Sequence, residues 1–195
     1  MIREEAAYNP TLVNSAVSEA IDEVEKELNE ATRRAWALVQ STDGRLFTVR
    51  PQPARWSAAE CLAHLSLSTE LFLPVLRKAI DRAKGGPGRK PRMDLIGRVQ
   101  RWFLEPPIRQ RMTTSAPFVP RSVRAKAEAF GEFASLQEKL IELLRESRDG
   151  DLGQKIVSPF DKRVRYNLFS AFRIVAAHER RHLWQAEQTV AELRK

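Results

Sequence analysis

The chain has 195 residues, 43% of them hydrophobic and 30% charged, with 33 Lys and Arg against 25 Asp and Glu, three His and one Cys. That length and balance suit one sizeable core without a second domain, so a single domain over 1–195 is expected. The lone Cys61 excludes an intrachain disulfide, and the longest near-continuous apolar run, Leu71-Phe72-Leu73-Pro74-Val75-Leu76, is too short to cross a bilayer.

The net charge of +8 is concentrated in one place. Residues 84–126 hold eleven basic residues (Lys84, Arg89, Lys90, Arg92, Arg98, Arg101, Arg109, Arg111, Arg121, Arg124, Lys126) against Asp94 and Glu105. Elsewhere acids and bases nearly cancel, so the overall basicity is a weak argument for nucleic-acid binding. Residues 1–5 lack the basic-then-apolar layout of a secretory signal, which points to a cytoplasmic protein.

Four long segments carry helical periodicity. The first, 14–40, repeats Val17, Ile21, Val24, Leu28, Ala31, Ala35 and Leu38 at three- and four-residue steps. A connector with Gly44, Pro51 and Pro53 follows, and Ser57 and Glu60 then have the spacing of a capping box that opens the second helix. It runs to 83, with a bend expected at Pro74, and Gly85-Gly86-Pro87-Gly88 closes it.

A long connector comes next, with one short helix at 94–104 and breaks at Pro106, Pro107, Pro117 and Pro120. The third helix, 122–147, has Ala125, Ala129, Phe133, Leu136, Leu140, Leu143 and Leu144 as its stripe, and Asp149-Gly150 marks its stop. A loop with Gly153 and Pro159 leads to the fourth, 167–193. Its inner face is Leu168, Phe172, Val175, His182, Ala186, Val190 and Leu193, with His178 at the edge.

With no strand-like alternation, this pattern predicts an all-α four-helix bundle. The connector between helices 2 and 3 is longer than a hairpin needs, so it can cross the bundle and make those two helices parallel.

All three histidines fall into one constellation. His178 and His182 are four residues apart and share a helix face, while His64 lies on the apolar side of the second helix. Three imidazoles suit a divalent ion and leave coordination positions open, as catalytic sites require. Glu179 completes His178-Glu179-Arg180-Arg181-His182, the His-Glu-x-x-His pattern in which zinc proteases use glutamate as general base. No third ligand follows at protease spacing and no edge strand is present, so Glu179 is retained only as a candidate catalytic residue beside the metal. Gln185, one turn after His182, is the second candidate, placed to hydrogen-bond a metal-bound ligand. Cys61 is read as a small buried hydrophobe, Glu60 as a cap, and Trp36, Trp56 and Trp184 as core or rim aromatics.

Two stretches resemble the DinB/YfiT-like superfamily. Trp56-Ser57-Ala58-Ala59-Glu60-Cys61-Leu62-Ala63-His64-Leu65 is similar to its Trp-Ser-x-x-Glu-x-x-x-His-Leu opening of helix 2. His178-Glu179-Arg180-Arg181-His182-Leu183-Trp184-Gln185 is similar to its His-x-x-x-His-x-x-Gln element in the last helix. The resemblance implies up-down-down-up connectivity, zinc or nickel held by His64, His178 and His182, and a homodimer. Relatives include thiol-dependent S-transferases and a mycothiol-dependent isomerase.

The expected function is therefore a metal-dependent transferase acting on a small, anionic low-molecular-weight thiol, with no membrane partner. The alternatives are a metal-dependent hydrolase and a non-catalytic module that binds nucleic acid or an acidic partner through 84–126.

Overall fold

The computed structural model describes residues 10–86, 90–107, 114, 116–122 and 124–195. Residues 1–5, Pro87 and Gly88, and Arg89, Arg109 and Arg111 of the basic segment lie outside the described residues.

Six α-helices are present among the described residues: α1 (Pro10–Ser41), α2 (Gly44–Thr48), α3 (Ala58–Arg82), α4 (Leu95–Leu104), α5 (Lys126–Glu146) and α6 (Leu168–Leu193). The capping box at the start of α3 forms in full. Ser57 Oγ accepts from the Glu60 amide at 3.2 Å, and the Glu60 carboxylate accepts from the Ser57 amide at 2.9 Å. The helix continues through Pro74 without interruption.

Three expectations are corrected. α5 starts at Lys126 instead of 122, since Ala125 before it keeps a non-helical backbone (φ −58°, ψ 148°); the Lys126 ammonium donates to the carbonyls of Val39 and Thr42 at the end of α1. The loop before α6 is an antiparallel hairpin of β1 (Lys155–Val157) and β2 (Arg165–Asn167), with buried Ile156 opposite buried Tyr166. Strands of three residues are too short to show alternation in the sequence. Finally, α3 is long and apolar enough to cross a membrane by length and composition, although no single run suggested it. Its apolar positions are mostly buried against α5 and α6, and a core helix has the same composition.

α1 packs against α5 and α6, and α3 packs against the same two helices. Arg173 with Glu23, Arg180 with Glu27 and Arg34 with Glu187 advance together along α1 and α6, so these helices run in the same sense. Arg145 and Arg148 near the end of α5 meet Glu25 and Asp22 in the first half of α1, which sets that pair antiparallel. Arg77 pairs with Glu146, joining the ends of α3 and α5.

Buried apolar residues form two clusters stacked along the helices. Each fully buried Leu, Ile or Phe contributes about 1.5–3 kcal/mol relative to exposure. On α6 the boundary falls between Ala176 and Leu183, and on α5 between Phe133 and Leu140. Gln137, His178, Glu179 and His182 occupy that boundary.

Candidate metal centre

His64, His178 and His182 meet at this polar layer. All three are buried, and one nitrogen of each lies within 4.8 Å of the others. The capping box sets the register of α3 so that His64, two turns in, faces α6. The four-residue spacing puts His178 and His182 one above the other opposite it.

Three observations fit a divalent cation. His64 Nε2 and His178 Nε2 are 3.1 Å apart; nitrogens held at about 2.0–2.1 Å from one ion subtend about 100° at that separation, an ordinary ligand angle. His64 donates its Nδ1–H to the Phe118 carbonyl at 2.7 Å, which leaves the Nε2 lone pair directed at the cluster. Nδ1 of His182 is buried with no hydrogen-bond partner, a cost that coordination would relieve. Burial lowers the pKa of all three, most strongly at His178 and His182, so they are neutral and able to act as ligands near pH 7.

Aromatic rings surround the cluster. Trp56 lies 4.9 Å from His64 and 5.9 Å from His182 between centroids, and Phe160 lies 5.3 Å from His178. Phe160 comes from the loop between β1 and β2, and Phe118 from a short 3-10 turn, Ala116–Phe118, in the basic connector. Phe118 thus brings this turn of the connector against His64, a role the connector's composition did not reveal.

The histidines open onto a cavity of about 1560 Å³. Gln185 lines it, as expected, together with Arg181, Gln100 and Gln188. Arg181 went unnoticed in the sequence as a site residue. It is buried, its Nη1 donates to the Phe103 carbonyl at 3.0 Å, and burial pulls its pKa below the ordinary arginine value.

Glu179 stands elsewhere. Adjacent helical residues point about 100° apart; with His178 turned to the cavity, Glu179 faces α5, where its carboxylate accepts from Gln137 Nε2 at 2.9 Å. Burial pushes its pKa up to about 8, and it is not among the residues lining the cavity. The expected place beside the metal is therefore replaced by a place in the core.

Cys61 is fully buried with its thiol pKa driven up by burial, and it stays outside the cluster. Glu60 serves its cap and also takes the guanidinium of Arg50, with Arg50 Nε 2.8 Å from Glu60 Oε2. Burial raises its pKa, but these hydrogen bonds more than offset that and hold it below the usual carboxylate value. Trp56 and Trp184 are half-buried, while Trp36 is 50% exposed, 5.0 Å from Phe130.

A family model described as the DinB superfamily matches residues 27–186. The chain belongs to the DinB superfamily. The match takes in both motif regions and all three histidines, so the cluster lies within the DinB portion of the chain. No curated protein and no solved structure matches it.

Proposed function

We propose that this is a metal-dependent DinB enzyme that joins the sulfur of a low-molecular-weight, anionic thiol to an electrophilic carbon, the thiol proton passing to solvent as the leaving group of that carbon departs. The observation that carries the reading is the 3.1 Å approach of two imidazole nitrogens, one oriented by Phe118, at the floor of a large cavity. The arrangement of helices is read as the up-down-down-up bundle of the family in a single domain; the shared sense of α1 with α6 supports this.

His64, His178 and His182 would hold zinc or nickel, both of which accept imidazole. When bound, a divalent ion with three neutral ligands keeps its positive charge and favours thiolate over thiol. Arg181 offers a buried guanidinium to a substrate carboxylate, which fixes the thiol's orientation and raises its local concentration. Gln185 can hydrogen-bond the substrate beside His182, and Trp56, Phe118 and Phe160 exclude water from the sulfur.

The basic connector gives less support to nucleic-acid binding. Arg101 is engaged by Glu27 and Glu105, Arg124 by Glu128 and Glu132, and Lys126 by the end of α1. The deciding test is a screen of small thiols with a model electrophile. Turnover that a chelator abolishes and zinc or nickel restores is the expected result. Hydrolysis without any thiol overturns the transferase reading.

A further inference from the structure

A second surface feature lies on α4. One side of this helix is clamped to the protein. A Cβ at Gly97 would come within 2.3 Å of Ser170 Oγ, Asp94 caps the helix by accepting from the Gly97 amide at 2.9 Å, and Asp94 also accepts from the Asn167 amide. At the other end Glu105 takes Arg180 at 3.0 Å. The opposite side faces solvent. Leu95, Ile96, Val99, Trp102 and Phe103 fall within an arc of about 120°, and all are exposed, Leu95 at 67% and Trp102 at 54%. No other described helix exposes five large hydrophobic side chains on one arc. Patches of this kind mark interaction surfaces.

The charge around the patch has one sign. Exposed Lys90, Arg92 and Arg98 lie on or just before α4, and exposed Arg165 comes from the adjoining hairpin. The acidic residues there are already engaged: Asp94 meets Lys155, and Glu105 meets Arg180 and Arg101.

We infer that α4 docks this protein onto an anionic lipid surface. Its apolar arc enters the headgroup–acyl boundary, with Trp102 at the interface, and the arginines and lysines meet lipid phosphates. A second copy of the chain would bring the same positive charge to the contact, and a nucleic acid, whose bases stack on aromatic rings, offers no burial to the aliphatic Leu95, Ile96 and Val99. Gln100, Phe103 and Leu104 of α4 also line the metal cavity, so docking sets the mouth of that cavity at the bilayer. Docking itself requires no metal.

The test is co-sedimentation of the full chain with vesicles at about 0.1 M salt. Phosphatidylcholine alone is compared with phosphatidylcholine and phosphatidylglycerol at roughly two to one. The expected result is binding to the mixed vesicles only. Val99→Glu and Trp102→Glu should each weaken it by about tenfold or more, and Arg98→Gln by about fivefold, for one lost charge near the surface. Helical circular dichroism should be unchanged in all three. The inference is overturned by no binding to mixed vesicles, by equal binding to phosphatidylcholine alone, or by variants that bind like the unaltered chain. A dimer in light scattering that Val99→Glu dissociates would assign the face to a second copy instead, and random duplex bound in place of vesicles would assign the charge to nucleic acid. If Val99→Glu fails to fold, Trp102→Glu decides.

Discussion

Gly97 of α4 and Ser170 of α6 are in such close approach that a methyl group on Gly97 would overlap both Cβ and Oγ of the serine, at 2.4 and 2.3 Å. The hydroxyl can turn away but the Cβ is fixed to the backbone of α6, so α4 would have to lift from α6. Gly97→Ala is expected to cost about 1–3 kcal/mol as overpacking, despite alanine's better helix propensity. Urea unfolding of Gly97→Ala, Ser170→Gly and the double variant checks this. A favourable coupling between the two is the expected result, and additive effects would contradict it.

Asp94 ties the same junction to the solvent pH. Burial raises its pKa, but hydrogen bonds from Lys155, the Gly97 amide and Ser170 outweigh that and hold it below 3.8. Its stabilisation is therefore complete above pH 3.8 and fades as pH falls through the lower folded value. Asp94→Ala should cost about 0.5–2 kcal/mol at pH 7 as a lost helix cap. The gap between the two proteins should narrow below pH 3.8, as followed by urea midpoints at several pH values.

Metal binding is expected to stabilise the protein. At an ion concentration about 100 times the dissociation constant the gain is about 2.7 kcal/mol, which raises Tm by roughly 5–10 °C for a chain of this size. His64→Ala, His178→Ala and His182→Ala should each abolish the shift with zinc or nickel. Elemental analysis of the purified variants provides an independent count.

Glu179→Gln separates a core role from a catalytic one. Its carboxylate faces Gln137 instead of the cavity, so metal content should be unchanged and turnover should stay within about threefold. Loss of a general base would cost about 10²–10⁴ in rate, and a fall of that size would place Glu179 in the chemistry.

Arg181→Met tests substrate recognition within the proposed transferase. Losing a charged hydrogen bond worth about 1.5–3 kcal/mol should raise KM for a carboxylate-bearing thiol by about 10- to 150-fold. A neutral thiol should be almost unaffected. Equal loss for both thiols would count against a carboxylate partner at Arg181, and metal content serves as the control.

The main helices were readable because their apolar positions recur at helical steps and because Ser57 and Glu60 carry a local start signal that needs no tertiary partner. The pair His178 and His182 was readable for the same reason, since four residues on a helix always share a face. The β1–β2 hairpin was not, because three residues per strand leave no period to detect. The place of Glu179 against Gln137 is not legible in the sequence, because the His-Glu-x-x-His spacing says which residues neighbour the histidines but not whether α5 or the cavity lies opposite the glutamate.

Local sequence determined that α3 and α6 exist, where α3 begins, and that three imidazoles sit on apolar helical faces, since hydrogen bonding, capping and the 3.6-residue period act over a few neighbours. Tertiary packing alone decided that His64 reaches His178, that Phe118 orients it, that Arg181 lines the cavity, and that the apolar side of α4 faces outward. Those outcomes depend on contacts between residues dozens of positions apart, and such contacts form only when the chain closes on itself.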